Sequence, residues 1–355
     1  MFKAAIIGCG VISRCHAQAM QKTPSIQLGA VMDVVPERAE AVGKEFGVPS
    51  YTNLRSVLRR KDIDFIDICT PSGLHADIAI RAARAGKHCI CEKPLDVTPQ
   101  RCDRIIEAFK KSGTTLGGIF QHRYADGPRK TRDAVRAGRL GRLTLVTCST
   151  PWWRTQDYYN SGDWRGTWRL DGGGALMNQG VHAIDLMLWI AGPIKSVSAR
   201  TALLSHERIE VEDTAVATVE FESGTLGVIQ GTTAAYPGAP VRHEFLGNAG
   251  NVFLLDDRID LWKLRDEEGS GAAAAPTPAS LVEAAATSSD PAALSGDCHA
   301  RNIEDIASAV REGRAPCVTP EEGKKAVEVI CAVYKSAMTG RNVTLPLKRF
   351  APRKQ

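Results

Sequence analysis

The chain has 355 residues, with 45 Lys and Arg against 40 Asp and Glu and a formal net charge of +5. That length suits roughly two domains with buried cores, and the small, evenly spread charge argues against a nucleic-acid or membrane-surface partner. No apolar run approaches the roughly 20 residues of a membrane span. The opening MFKAAIIGCG breaks into glycine too early for a secretory leader and reads as a strand. None of the ten cysteines forms a C-x-x-C pair, and Cys69, Cys89, Cys91, Cys148 and Cys331 lie in apolar stretches. Buried, reduced thiols in a cytoplasmic protein are expected, with no metal.

Strands and helices alternate through the first third. KAAIIGCGVI is an apolar strand running into glycines, RCHAQAMQKT a helix, and IQLGAVMDV a second strand. PERAEAVGKEFG is a helix with proline at its start and glycine at its end. IDFIDICTPSGLHADIAIRAARAGKHCICEKPLD gives strand, loop, helix, strand and loop, and VTPQRCDRIIEAFKKSG with TTLGGIFQHRY adds a helix and a strand. This alternation predicts parallel βαβ units with right-handed crossovers. Ligands of such sheets sit beyond the carboxyl ends of the strands. That edge carries Gly8 to Gly10, Asp33, Thr70 to Ser72, Glu92 to Pro94 and Gln121 to Tyr124.

GCGVIS, residues 8–13, follows the first strand. Gly8 allows the tight turn, Gly10 lets a pyrophosphate approach the helix N-terminus, and Ser13 stands where the third glycine of a dinucleotide fingerprint is usual. Asp33 ends the second strand, where a carboxylate can accept ribose hydroxyls and repel a 2′-phosphate. NAD is therefore favoured over NADP, although Arg38 lies five residues on and could reach the adenosine end.

Beyond residue 121 the pattern changes. GRLTLVTCST, IKSVSARTAL, DTAVATVEFESGTLGVIQGTT, VRHEFLGNAGNVFLLDD and RIDLWKL alternate apolar and polar residues, which predicts a mainly antiparallel sheet. Residues 266–295 are rich in Ala, Ser, Pro and Gly and are expected to form a mobile loop. ARNIEDIASAVREG and PEEGKKAVEVICAVYKSAMTG read as amphipathic helices. The expected organisation is a Rossmann α/β domain over 1–121 and an α+β domain with a large, open-faced, mainly antiparallel sheet over 122–355.

Gly8-x-Gly10, CTPSGLH (69–75), GKHCICEKPL (86–95) and GGGALMNQGVHAIDLMLWIAG (172–192) together resemble the glucose–fructose oxidoreductase / inositol dehydrogenase (Gfo/Idh/MocA) family over essentially the whole chain. The stretch around WRGTW and LDGGGALMNQG is similar to that of UDP-N-acetylglucosaminuronate 3-dehydrogenases. The resemblance implies NAD(P) as cofactor and oxidation or reduction of a sugar, sugar acid, sugar nucleotide or cyclitol. It implies cofactor contacts from Gly8, Gly10, Val11, Ile12, Asp33, Arg38, Thr70, Pro71, Ser72, His75, Glu92, Lys93 and Gln121. It assigns Lys93 to the reactive oxygen, with Glu92 in support, and makes His182 the base. An ammonium can stabilise developing alkoxide charge, and an imidazole can take the hydroxyl proton near neutral pH.

PWWRTQDYYNSGDWRGTWRLDGGGA (151–175) is rich in Trp, Tyr and Arg. Sugar faces stack on aromatic rings, and Arg pairs with carboxylate or phosphate. Substrate contacts are accordingly expected from Arg154, Tyr158, Trp164 and Arg165, from Arg123 and Tyr124, and from Lys93, Asn178 and His182. Asn178 stands where relatives often carry Asp, and its amide can hydrogen-bond but cannot supply charge. Two alternatives are a glycoside-cleaving enzyme that oxidises its substrate transiently and a noncatalytic sugar sensor. An open sheet face also suggests a homodimer or homotetramer.

Overall fold

A computed structural model describes residues 1–267 and 296–352. The expected mobile loop at 266–295 lies outside the described residues except for Asp266 and Glu267, which close a 3-10 turn, Arg265–Glu267. Two compact units emerge: Met1–Gln121 with Leu294–Lys324, and His122–Ala293 with Lys325–Gln355.

In the first unit six short strands form one parallel sheet: β1 (Phe2–Ile7), β2 (Ile26–Met32), β3 (Ser50–Tyr51), β4 (Phe65–Ile68), β5 (His88–Cys91) and β6 (Leu116–Gly118). Their order, β3-β2-β1-β4-β5-β6, is that of a doubly wound dinucleotide-binding sheet, and it reverses between β1 and β4. The strands read as near-continuous apolar runs because helices cover both faces. The helices are α1 (Val11–Gln21), α2 (Pro36–Phe46), α3 (Leu54–Leu58), α4 (His75–Arg84) and α5 (Pro99–Ser112). Proline near the start and a left-handed glycine at the end bound both α2 and α5.

The sequence reading placed all of 122–355 in the second domain. By contacts, however, the helix α9 (Gly296–Glu312) belongs to the first unit. It packs on α1 and adds Ile303, Ile306 and Ala307 to the core around Ile6, Ile26 and Ile90. Its amphipathic pattern marks an apolar face without saying which domain that face covers.

The second unit holds an eight-stranded sheet: β7 (Leu143–Pro151), β8 (Ile194–Ala202), β9 (Thr214–Phe221), β10 (Leu226–Thr232), β11 (Arg242–Gly247), β12 (Gly250–Leu255), β13 (Arg258–Leu264) and β14 (Val343–Thr344). The order is β13-β12-β11-β7-β10-β9-β8-β14, antiparallel except where β7 meets β10. Its strands alternate buried and open positions, as a sheet covered on one face requires. Helix α8 (Val181–Ala191) packs on β7 and on α6 (Asp126–Arg136), an element the periodicity reading missed. The short α7 (Gln156–Asn160) and the long α10 (Pro320–Thr339) are the other helices among the described residues.

Candidate active site

The first unit gathers its functional side chains at the carboxyl ends of β1, β2, β4 and β5. At Gly8, φ is +97° and a Cβ would lie 2.7 Å from the Cys69 carbonyl oxygen. Glycine is thus required both by conformation and by the approach of the β4 end. Gly10 caps α1, and a Cβ there would meet nothing within 4 Å, so the helix N-terminus is open to an anion. Asp33 is 8% exposed. Its carboxylate accepts the Cys9 N–H at 2.8 Å and the Val35 N–H at 2.9 Å, which ties the β2 end to the glycine turn. Val11 and Arg38 are exposed, and Ile12 is half-buried. Thr70 Oγ1 is buried and lacks a hydrogen-bond partner among the described residues, and Pro71 lies half-buried beside it. An open helix N-terminus, an anchored strand-end carboxylate and an orphaned hydroxyl fit a dinucleotide.

Other expected cofactor contacts are turned inward. The His75 ring is buried between two carbonyl oxygens, those of Pro94 and Thr70, each at 2.9 Å, so it braces the turn after β5 and offers no exposed atom. Ser72 and Gln121 are also buried. Lys93 is half-buried and precedes a cis proline, Pro94. Its backbone N–H donates to its neighbour Glu92 Oε2 at 2.9 Å. Asp96, fully buried, accepts from the Ala76 and Val97 N–H groups and from Arg101 Nε at 2.6 Å. Sequence reading passed over Asp96. An aspartate three residues past a lysine gives no periodic signal, and its partner Arg101 lies on the next helix.

In the second unit the glycine run at 172–174 leads into a π-turn, Ala175–Gly180, and then α8. The regular α-helix begins only at Val181. The wider turn follows from the way its start is pinned, because Glu212 accepts the Gly174 and Leu176 N–H groups at 3.0 Å each and the Tyr334 hydroxyl at 2.9 Å. A Cβ on Gly174 would collide with the Glu212 carbonyl oxygen. Burial pushes the Glu212 carboxyl up to about 7 against these three donors. π-Turns of this kind recur at functional sites.

His182 opens α8, half-buried. Its ring meets that of His122 edge-on, with centroids 4.8 Å apart. His122 Nδ1 lies 2.9 and 2.8 Å from the two oxygens of Asp257. Burial alone would lower the His122 pKa, but Asp257, with Asp256 and Asp185, acts the other way and the net direction is upward. His243 faces the Ala183 carbonyl oxygen through Nε2, and burial lowers its pKa to about 4, so it is neutral. Asn178 donates through Nδ2 to Asp171 Oδ1 at 2.6 Å.

Arg123, expected at the substrate, is instead 3% exposed and bound bidentately to Asp185, at 2.7 and 2.6 Å. A planar guanidinium matches a carboxylate with two parallel bonds, and this pair joins the start of the unit to α8. Tyr124 is also buried. The aromatic stretch, by contrast, brings its residues together. The Arg165 guanidinium stacks on Tyr158 at 4.1 Å and on Trp164 at 4.5 Å and donates to the Tyr158 hydroxyl at 2.6 Å. Arg154 stacks on Trp152 and Tyr158 and donates to Gln179 Oε1 at 3.2 Å, with burial depressing its pKa. Gln179 also donates to Tyr158, a link that no sequence spacing suggested.

Comparison with known proteins agrees with these two halves. Residues 2–119 match the profile "Oxidoreductase family, NAD-binding Rossmann fold", and residues 129–253 match the GFO/IDH/MocA C-terminal domain. Myo-inositol 2-dehydrogenase of Thermotoga maritima is 27% identical over 350 residues, 97% of this chain and 98% of that protein. D-glucoside 3-dehydrogenase of Escherichia coli is 25% identical over 378 aligned positions, 97% of each. The crystal structure of the WlbA dehydrogenase from Bordetella pertussis, in complex with NADH and UDP-GlcNAcA, superposes with a TM-score of 0.85 at 32% identity, covering 98% of this chain and 99% of that one. The chain is a member of the GFO/IDH/MocA family of NAD-binding oxidoreductases.

Proposed function

We propose that this oxidoreductase acts on a secondary alcohol or ketone of an anionic sugar-like molecule, a sugar acid or sugar nucleotide, with NAD preferred over NADP. The observation that carries the substrate class is the stack of Arg154, Tyr158, Arg165 and Trp164. It offers flat apolar faces and the half-buried Arg165 guanidinium, with the buried Arg154 stacked behind them on the same connection. The relative solved with UDP-GlcNAcA supports the same class. The preference for NAD rests on Asp33, a carboxylate fixed at the end of β2 beside the glycine turn.

Bound nicotinamide supplies the hydride acceptor or donor. The chain supplies charge and proton. Lys93 donates a hydrogen bond to the substrate oxygen and stabilises its alkoxide character. His182 takes the hydroxyl proton on oxidation and returns it on reduction. Glu92 holds the backbone of the lysine turn. A spectrophotometric screen at about 340 nm across neutral sugars, cyclitols, sugar acids and UDP-sugars tests the reading. Turnover confined to neutral cyclitols would overturn the anionic class.

The sheet of the second unit presents Leu145, Val216 and Leu226, at 37%, 48% and 60% exposure, on three neighbouring strands. We read this face as a contact between copies in a homodimer or homotetramer, and light scattering that returned a monomer mass would contradict it. All ten cysteines are free, which favours the reducing cytoplasm as location, and no described helix is long and apolar enough to cross a membrane.

A further inference from the structure

Beneath the Lys93 turn lies a cluster of charged groups that the proposed chemistry does not use. His16, on α1, is fully buried. Its Nδ1 lies 2.8 Å from Asp67 Oδ2, and its Nε2 lies 2.9 Å from Glu92 Oε1. Asp67 is on β4 and is also fully buried, while Glu92 follows β5. The three residues therefore join the helix whose N-terminus faces the phosphate site to two strands of the sheet. The second oxygen of Glu92 accepts the Lys93 N–H, so the chain of bonds ends on the backbone of Lys93 itself. The remaining titratable neighbours are the Cys69 thiol, which donates to Asp67 Oδ1 at 3.8 Å, the His299 ring from α9, 5.7 Å away, and Cys15 on α1.

An ionised carboxylate can only accept hydrogen bonds. A neutral imidazole has one N–H, so it would leave a lone pair facing one of the two carboxylates. Two acceptors on two ring nitrogens are both satisfied only when both nitrogens carry hydrogen. His16 with Asp67 and Cys69, and His16 with Glu92 and His299, each bring one ligand atom apiece within 4.8 Å of one another, the span of a small cation site. A ring with two N–H groups, however, has no lone pair to give a metal. Burial of the whole group makes the arrangement costly to half-assemble, since either carboxylate alone would be an uncompensated charge if the ring were lost.

We propose that His16 is a permanent imidazolium that ties Asp67 to Glu92, and that this buried tie is the positioning device that sets the Lys93 turn. The inference rests on the reading of Lys93 as the group at the substrate oxygen. His16 touches neither substrate nor reacting atoms and works only through Glu92.

The test uses the full-length enzyme with ¹⁵N-labelled histidine. One imidazole, assigned by its loss in His16→Gln, should show protons on both ring nitrogens and keep them up to about pH 9, far above the ordinary histidine range. If no imidazole of the wild type carries two ring protons at about pH 9, or every one titrates near about 6.5, the proposal is overturned whether or not the variant folds. In His16→Gln the Lys93 amide should exchange with solvent faster, because its acceptor is released. Turnover should fall on the order of 10–100-fold through misplacement of the turn, while the NAD dissociation constant from calorimetry should change little. Val57→Ala, a core deletion in α3 away from the site, supplies a destabilised control that should keep its turnover. Equal losses in the two variants, or unchanged Lys93 exchange in His16→Gln, would reduce His16 to a fold-stability residue and sink the proposal. Lys93→Ala separates the two readings. If it retains turnover, the role given to Lys93 fails while the doubly protonated ring and the amide exchange still report on the tie.

Discussion

His16 is fully buried with a carboxylate on each ring nitrogen, whereas His122 is about a third exposed, faces the single carboxylate of Asp257, and meets His182 with its ring. In the first arrangement both ring nitrogens are bonded to carboxylates and the ring has no exposed surface, so the charged form is held in place. The second keeps one ring, His182, half-open at the start of a helix and beside a group whose charge can influence it. Imidazoles with similar intrinsic basicity thus sit in opposite settings, one locked between carboxylates in the first unit and one half-open in the second. Burial and the count of neighbouring carboxylates make the difference.

The largest expected effect separates these roles most sharply. His182→Ala and Lys93→Ala should each lower turnover by about 10²–10⁴ while leaving NAD binding in place, read by steady-state rates and by calorimetry. Near-wild-type rates in His182→Ala would break the contrast, because the half-open histidine would then be as inert chemically as the buried one.

Next comes stability. Glu92→Gln removes one partner of a buried ionic group, which costs about 3–5 kcal/mol and should lower the melting temperature by roughly 10 °C in a unit of this size. The sign of the pH dependence follows from both partners. The Glu92 carboxyl is held down at about 2 by His16, against a burial effect that would raise it. Its contribution is present above the unfolded value near about 4.3 and is lost as pH falls through about 2. The His16 pKa lies well above the ordinary value, because Asp67 and Cys69 together overcome the lowering effect of burial. Its contribution is full below about 6.5 and is lost as pH rises through the folded value. The melting gap between wild type and Glu92→Gln should therefore be widest at about pH 4.5–6.5 and narrow on both sides. A gap that stays constant from strong acid to strong alkali would show that the tie is not ionic.

Asp33→Ala should relax the choice of cofactor, weakening NAD by about tenfold for a lost charged hydrogen bond and narrowing the gap to NADP in paired calorimetric titrations. Tighter binding of NADP by the wild type would refute the role assigned to Asp33. Because Asp33 also accepts the Cys9 and Val35 N–H groups, Asp33→Asn, which keeps one acceptor, should loosen the turn less than Asp33→Ala does.

Much of the first unit was legible because its signals are local. A glycine turn after an apolar strand, Asp33 at a strand end and Glu92-Lys93-Pro94 at another all declare themselves within a few residues. The tie through His16 was not, since its members stand 51 and 76 positions from the histidine and only the parallel sheet brings them together. Arg123 was misplaced for a related reason. An arginine beside a tyrosine at a strand end looks like a ligand contact until the fold supplies Asp185, 62 residues on. The aromatic stretch at 151–170 was readable as a cluster but not as a stack, because the order Arg154, Tyr158, Arg165, Trp164 depends on the turn of α7 and on Gln179. The domain to which α9 belongs could not be read at all, since an amphipathic helix names no partner.

The smallest expected effect tests how far His122 belongs to the chemistry. Asp257 favours its charged form, and Asp256 and Asp185 add to that, while the neutral His243 on β11 adds no charge. A positive charge on His122 would oppose a second cation on His182 and so would favour the form that accepts a proton. At the 4.8 Å ring separation the repulsion lies between about 1 kcal/mol in a water-like surrounding and about 3.5 kcal/mol at an effective dielectric near 20. With His122 about a third exposed, the lower part of that range applies, on the order of one pH unit. His122→Asn removes the charge, so the acidic limb of kcat/KM should move to higher pH by about that amount while the plateau rate changes little. At a pH just above the wild-type limb the variant would then be only a few-fold slower. Asp257→Asn should move the limb in the same direction, because an uncharged His122 exerts no repulsion. A shift to lower pH in Asp257→Asn with none in His122→Asn would mean that Asp257 acts on His182 directly and that His122 only fills space.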